Sequence, residues 1–260
     1  MIDKNNYNIK NLIYDADFEV KLCNDLYWVP LNKLGKTRKT NNSFDKFENY
    51  NLSYIQTQIS CIYEAVQYLN YIGFSENKDV TVMSNNGVNW VYHSTGIEAI
   101  KNSYGICTSV ASAMKFLCDE AYEYIGYLLF VRPDTSYHIL CYIQQNNQYY
   151  IFDPSAYVYG SIEDIIPETG NKKDMQGRLL TSICFRTSNL RHFVKFYQRI
   201  LLYKNIRFIF IDLFDRKDCI NKMAIIKTEE AVSVYFPPEF YFNVINKENS
   251  GIYTVKNIKC

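Results

Sequence analysis

The stretch that decides the fold runs from Tyr104 to Pro154 and reads YGICTSVASAMKFLCDEAYEYIGYLLFVRPDTSYHILCYIQQNNQYYIFDP. Its first part has a helical pattern. Apolar residues recur at helical spacing from Cys107 to Cys118, which predicts a buried helix that begins at Cys107. Gly105 precedes the helix and allows the sharp entry that such a start needs.

The second part of the stretch contains two strand-like segments, at residues 137–144 and 148–153. Asn146 and Asn147 stand between them, and asparagine tolerates positive φ, so we expect a two-residue hairpin turn. The pattern as a whole predicts an α+β domain. In this domain the helix that begins at Cys107 packs against an antiparallel sheet containing the hairpin.

The hairpin also makes a prediction about two side chains, His138 and Asp153. If Gln145 pairs with Gln148, His138 and Asp153 are diagonal neighbours on one face of the sheet. Their backbones would lie about 7–8 Å apart, within reach of a hydrogen bond between the side chains. We expect this face to look toward the start of the cysteine helix. A turn one residue longer would place the two residues on opposite faces.

Cys107, His138 and Asp153 are the residue types of an activated cysteine nucleophile. The positive end of a helix dipole favours a thiolate at its first residue, and an imidazolium beside it favours the thiolate further. A free cysteine is more often an inert core residue, so Cys107 alone would not predict a site. The chain has three histidines, and we expect His93 in a loop and His192 in a solvated helical segment.

These residues stand in a pattern that resembles the transglutaminase-like superfamily. The pattern is G-x-C at a helix start, a histidine entering a strand, and D-P closing the next strand. Here it is Gly105-Ile106-Cys107, Tyr137-His138-Ile139 and Phe152-Asp153-Pro154, and it covers about fifty of the 260 residues. Many members have an aromatic residue two positions after the histidine, where this chain has Leu140.

The resemblance implies a papain-like core with a catalytic triad of Cys107, His138 and Asp153. It implies an enzyme that hydrolyses or transfers amide groups of a peptide or protein through a thioester, without a metal or an organic cofactor. Trp90 resembles the tryptophan that lines the cleft in some relatives, and is our candidate for the substrate cleft. The Cys-x-x-Cys zinc pairs of the glycan-removing branch are absent from the sequence.

Two other functions stay open at this point. An arylamine-type N-acetyltransferase uses the same three residue types, and acetyl transfer from acetyl-coenzyme A to an arylamine would identify it. The other is a catalytically inactive domain that keeps the fold and binds a peptide. Thiol reactivity distinguishes it, because an inactive domain needs no reactive cysteine.

The composition limits the choice of partners and compartment. The chain has 28 lysines and arginines against 27 acidic residues, which gives no electrostatic reason to expect nucleic acid or an anionic membrane as a partner. Charged residues interrupt every apolar run, and the N-terminus lacks the apolar core of a signal peptide. The eight cysteines of the chain are scattered without a C-x-x-C pair. This pattern is typical of proteins whose thiols stay reduced, so we expect a cytoplasmic location.

The sequence also predicts a division into three parts. Residues 1–50 are polar and are expected to form an N-terminal extension, and residues 51–177 the transglutaminase-like catalytic core. Residues 178–260 are expected to supply a C-terminal helix and strands that complete or extend that core.

Overall fold

The computed structural model describes residues 20–30, 51–76, 81–85, 88–92, 94–122, 124–155, 183–200, 208–246 and 252–257. The helices are α1 Leu52–Gln58, α2 Ile62–Tyr71, α3 Gly96–Asn102, α4 Cys107–Cys118 and α5 Leu190–Ile200, with a 3₁₀ turn at Ile220–Lys222. The strands are β1 Val20–Cys23, β2 Leu26–Pro30, β3 Ser75–Glu76, β4 Thr81–Asn85, β5 Val88–Tyr92, β6 Tyr104–Gly105, β7 Ile125–Val131, β8 Tyr137–Gln145, β9 Gln148–Phe152, β10 Ile183–Thr187, β11 Ile209–Asp215, β12 Ala224–Lys227, β13 Val232–Phe236, β14 Phe240–Val244 and β15 Tyr253–Asn257.

The fold is organised by a sheet of eight strands in the order β1-β2-β10-β9-β8-β7-β11-β14. Each neighbouring pair in it is antiparallel. A second sheet, β12-β13-β15, contains one parallel pair, and β3-β6 and β4-β5 form short two-stranded pieces. The α+β class predicted from the sequence is therefore confirmed.

Apolar layers cover both faces of the large sheet, and β7 shows how. Tyr127 and Leu129 belong to the core cluster that includes α2, α3 and α4. Leu128 and Phe130, which alternate with them, belong to a second cluster built around α5. A strand covered on both faces has no polar alternation, which explains why all seven residues of β7 are buried.

A hydrogen-bond network connects α4 to its neighbours through Ser112. The Ser112 hydroxyl accepts from the Gly96 N–H at 2.9 Å and donates to Asp218 Oδ2 at 2.7 Å. The other oxygen of Asp218 accepts from the Tyr127 hydroxyl at 2.6 Å, so helix α3, helix α4 and strand β7 share one network. These polar groups are buried or partly buried, and their hydrogen bonds offset the free-energy cost of taking them out of water.

The apolar spacing of residues 53–74 predicts one helix, but the structure has two, α1 and α2. Ile59 takes an extended conformation and ends α1. The backbone N–H and the hydroxyl of Ser60 then donate to Glu64 at 2.7 and 2.6 Å, which fixes the start of the second helix. Apolar spacing continues through the break, so the spacing did not reveal it.

The sheet takes strands from each of the three predicted parts of the chain. β1 and β2 lie in the segment that was expected to be polar and irregular, and β2 pairs with β10. At the other end of the chain, β11 and β14 extend the large sheet, while β12, β13 and β15 form the separate one. The domain boundaries themselves stay a prediction.

Candidate functional site

Cys107 is the first residue of α4, as the apolar spacing predicted. Ile106 is the N-cap in an extended conformation, and among the described residues no side chain caps this helix start. The first intrahelical bond runs from the Val110 N–H to the Ile106 carbonyl at 2.9 Å. Gly105 is required here because a Cβ on it would lie 2.4 Å from Cβ of Ser109. The Cys107 side chain is half-buried, at the edge of the core.

The hairpin that carries His138 has the predicted register. Gln145 pairs with Gln148, and both turn residues have positive φ, 49° at Asn146 and 59° at Asn147. Positive φ at both central positions is the conformation of a type I′ hairpin turn, whose twist matches that of the flanking strands. The two-residue loop therefore fixes which side chains of β8 and β9 share a face.

The side chains of His138 and Asp153 are in direct contact, as this register implies. His138 Nε2 lies 2.7 Å from Asp153 Oδ2. The Cys107 side chain also interacts with the His138 ring and is one of the groups that raise its pKa. Because Nε2 is occupied by the carboxylate, Nδ1 is the ring nitrogen left for the sulfur. The structure thus brings all three predicted residues together, with the imidazole between the thiol and the acid.

The surroundings of His138 favour its charged form. Burial alone would lower the pKa of His138, because removal from water disfavours the charged ring. The charge and hydrogen bond of Asp153, and then the interaction with Cys107, outweigh burial and raise the pKa of His138 well above its ordinary value. An imidazolium next to the Cys107 sulfur would stabilise a negative charge on it.

The position of the site differs from the prediction in one respect. By alternation, His138 and Asp153 share the face of Leu140 and Ile151, which pack in the α5 cluster, whereas α4 covers the opposite face. His138 is the second residue of β8, so the site lies where this inner strand begins, and there the ring can meet the start of α4. Its position at the strand end is what permits contact with Cys107.

Two further residues support the triad. Phe130, the partner of His138 in the β7–β8 ladder, sets its ring edge-on to the imidazole with a centroid distance of 5.4 Å. Ser155 donates its N–H and its hydroxyl to Asp153 Oδ1. Sequence analysis missed both. The order Asp153-Pro154-Ser155 was nevertheless a usable signal, because aspartate commonly binds the backbone two residues later in the chain.

The remaining sequence candidates are placed elsewhere or lie outside the described side chains. Trp90 is on β5, paired with Met83, and its side chain is not among those described; His93 lies outside the described residues. The side-chain amide of Gln56 donates to the Phe116 carbonyl at 2.7 Å, near the far end of α4 and away from Cys107. At the site itself, the backbone N–H of Cys107 in the first turn of α4 is a donor that could stabilise an oxyanion.

His192 is not the solvated residue that the sequence indicated. Asp25, in the β1–β2 turn, accepts a hydrogen bond from His192 Nδ1 and another from the Ser188 N–H at 2.8 Å. Burial opposes ionisation of Asp25, but the hydrogen bonds from Ser188 and His192 prevail and lower its pKa to about 2. This pair attaches the β1–β2 hairpin to the start of α5, on the layer opposite α4.

Within the described ranges, no cluster of three or more histidine, cysteine or acidic side chains could hold a metal ion. In the same part of the chain, no helix combines the length and apolar character needed to cross a membrane. Every cysteine whose side chain is described is a free thiol; these are Cys61, Cys107, Cys118, Cys141, Cys184 and Cys219. Comparison of the chain with protein-family models, with curated proteins and with solved structures finds no match.

Proposed function

We propose that this chain is a cysteine-dependent acyl-transfer enzyme of the transglutaminase-like type, with a papain-like core. The observation that carries the proposal is the position of His138, whose ring interacts with Cys107 and, at 2.7 Å, with Asp153. A nucleophile, a base within hydrogen-bond reach, and a third group that orients the base are the signature of nucleophilic catalysis. The sequence resemblance points to the same three residues in the same roles.

The proposed reaction begins with a Cys107 thiolate and a His138 imidazolium. The sulfur attacks the carbonyl carbon of an amide, and the electron pair of the C=O bond moves to the oxygen. The backbone N–H of Cys107 is placed to stabilise this oxyanion. When the C–N bond breaks, His138 gives its proton to the departing amine, and a thioester remains on Cys107.

The second half of the reaction reverses these steps with another nucleophile. Neutral His138 removes a proton from water or from an amine, which attacks the thioester carbon. Cys107 leaves as thiolate, and the imidazolium is restored. Asp153 holds the ring in position and stabilises its cation without taking the proton. Water as the acceptor makes the enzyme a peptidase or amidase, and an amine makes it a transglutaminase.

The proposal is tested through the thiols, so no natural substrate is needed. Burial raises the pKa of Cys61 to about 11, and raises the pKa values of Cys118 and Cys141 as well. We expect iodoacetamide at pH 7 to alkylate Cys107 first. Replacing Cys107 with alanine should remove the fast phase. A Cys219→Ala variant is the matched control, because Cys219 is the other half-buried thiol among the six cysteines whose side chains are described.

Acyl transfer itself is tested with activated esters of short peptides. Intact mass should show one acyl group per chain, mapped to Cys107, and the adduct should decay in water or in the presence of a primary alkylamine. A faster decay with the amine would favour the transglutaminase reaction, and acetyl-coenzyme A as donor tests the acetyltransferase alternative. First reaction at Cys141 or Cys219, or absence of an acyl adduct on Cys107, would show that the nucleophile is wrongly assigned.

A further inference from the structure

The carboxylate of Asp153 is held at both of its oxygens. Oδ2 contacts His138 Nε2 at 2.7 Å. Oδ1 accepts a hydrogen bond from the Ser155 hydroxyl at 2.7 Å and one from the Ser155 N–H at 3.1 Å. Ser155 is itself only 4% exposed, so its hydroxyl has little access to water as an alternative hydrogen-bond partner.

This arrangement has a physical consequence for the ring of His138. A carboxylate can rotate about its last side-chain bond at little cost, and that torsion is broad. A short bond from a buried hydroxyl to one oxygen restricts the rotation, so the other oxygen stays in line with the imidazole. The hydroxyl also stabilises the negative charge that in turn stabilises the imidazolium.

We propose that Ser155 is a positioning residue of the candidate site, which fixes the Asp153 carboxylate so that it orients His138 toward Cys107. The inference rests on the function proposed above, because it assigns Ser155 a part in that same triad. Ser155 touches none of the reacting atoms. It acts through Asp153, as outer-shell groups act through the ligands that they orient.

The ordinary alternative is that Asp153 and Ser155 merely begin a helical turn. The chain enters helical conformation at residues 154–155, and Asp153 accepts the Ser155 N–H as an N-cap residue does. Capping accounts for the backbone bond. It does not require the bond from the serine hydroxyl, and it predicts that loss of this hydroxyl would affect stability but not the ionisation of His138.

The chain contains a natural control for this distinction. Asp134, Thr135 and Ser136 repeat the Asp-x-Ser order in the β7–β8 connection, and the N–H and hydroxyl of Ser136 both donate to Asp134 Oδ1. There the Ser136 hydroxyl, followed by its N–H, lowers the pKa of Asp134. This pair is exposed and has no hydrogen bond to His138. It tests the same bonds without the imidazole.

The experiment measures the pKa of His138 by NMR titration of its ring nitrogens, together with the pH profile of Cys107 alkylation by iodoacetamide. We expect Ser155→Ala to lower the pKa of His138 by about half a unit to one unit and to slow alkylation at pH 7 by roughly three- to tenfold, the range of one ordinary hydrogen bond. Ser136→Ala should leave both quantities at their wild-type values. Ser155→Thr, which keeps the hydroxyl, should restore them.

If Ser155→Ala does not fold, the pair Ser155→Thr and Ser155→Val replaces it, because threonine and valine match in volume and differ in the hydroxyl. Identical His138 pKa values in that pair, or in Ser155→Ala and the wild type, would overturn the proposal. So would an equal shift in Ser136→Ala. These outcomes are separate from failure of the proposed function, which would appear in the wild-type chain as the lack of a fast-reacting Cys107.

Discussion

The imidazole of His138 interacts with two groups of different character, a carboxylate on one side and a thiol on the other. Burial removes water that would otherwise solvate its charge, and the Asp153 carboxylate replaces that water at 2.7 Å. A raised pKa favours the charged form of the ring in the folded chain. This is the starting state that an ion pair with Cys107 needs.

The first prediction concerns the charge on His138. Replacing Asp153 with asparagine removes the negative charge but keeps a side chain of the same size. We expect the His138 pKa to fall toward or below its ordinary value, since burial would then act without compensation. At pH 7 the ring would become largely neutral, and the alkylation rate of Cys107 should fall. NMR titration of the ring nitrogens measures the first effect, and peptide mapping the second.

The raised pKa of His138 also gives the sign of its contribution to stability. Because folding raises the pKa of His138, its contribution to stability is complete below its unfolded pKa and is lost as pH rises through the folded value. An unchanged His138 pKa in the variant would contradict the assigned role of Asp153.

At the scale of the elements, helices α3 and α4 approach each other closely at Gly96. A Cβ at this position would lie 2.5 Å from both the carbonyl carbon and the oxygen of Ser112, and these are backbone atoms that cannot turn away. The Gly96 N–H also donates to the Ser112 hydroxyl at 2.9 Å. The glycine therefore sets the distance between the two helices, and through it the position of the helix that begins at Cys107.

Replacing Gly96 with alanine should force the two helices apart. We expect a loss of about 1–3 kcal/mol in the free energy of unfolding, the usual cost of overpacking a buried contact. Urea denaturation followed by circular dichroism measures it. Gly73→Ala is the matched control: Gly73 has φ +66° but nothing within 4 Å of an added Cβ, so its cost is backbone strain alone, about 1 kcal/mol. Equal stability of Gly96→Ala and the wild type would refute the packing role of this glycine.

Local chemistry explains which elements the sequence could predict. The start of α4 and the hairpin turn each depend on residues next to each other in the chain: an apolar spacing in one case and two asparagines in the other. The hairpin turn predicted the His138–Asp153 contact, because a two-residue turn allows one pairing register of β8 with β9. The meeting with Cys107 was predicted from the residue types and the family pattern.

The features that were not predicted depend on contacts between distant segments. β1 and β2 pair with each other, and β2 pairs with β10 across the chain. The polar residues around these short apolar segments made residues 1–50 read as an extension. Helix α5 covers the face that contains Leu140, so alternation within β8 could not show which helix lies on which side. For the same reason Asp25 was not linked to His192, since 167 positions separate them.

At the scale of the whole molecule, two acids in β11 affect stability because burial disfavours their charged forms. Asp212 is 6% exposed and Asp215 is 1% exposed. Burial raises the pKa of each from 3.8 to about 6, against the hydrogen bond of Tyr142 to Asp212 and the charge of Lys115 near Asp215. Both lie at the end of the large sheet that β14 completes. They make the fold more stable when protonated.

The molecule should therefore lose stability as pH rises from about 4 to about 6. A raised folded pKa means that the folded chain binds more protons than the unfolded chain in this window, so the free energy of unfolding falls with pH. Asp212→Asn should flatten the profile and gain about 1–3 kcal/mol at pH 7, because a two-unit shift is lost. Urea unfolding at several pH values measures this. The exposed Asp119→Asn should follow the wild-type curve, and an Asp212→Asn curve identical to it would contradict the prediction.

The burial of α4 has one more consequence. Nine of the twelve residues of this helix are buried, and each of the nine follows Cys107 in the chain. The candidate nucleophile, Cys107, is the first residue of the helix. A helix so enclosed exchanges its amide hydrogens with solvent mainly through cooperative opening of the entire domain. The candidate nucleophile and the segment that we expect to exchange slowly therefore belong to the same helix. On heating, the site would disappear together with the fold, and loss of thiol selectivity would report the melting of the molecule as a whole.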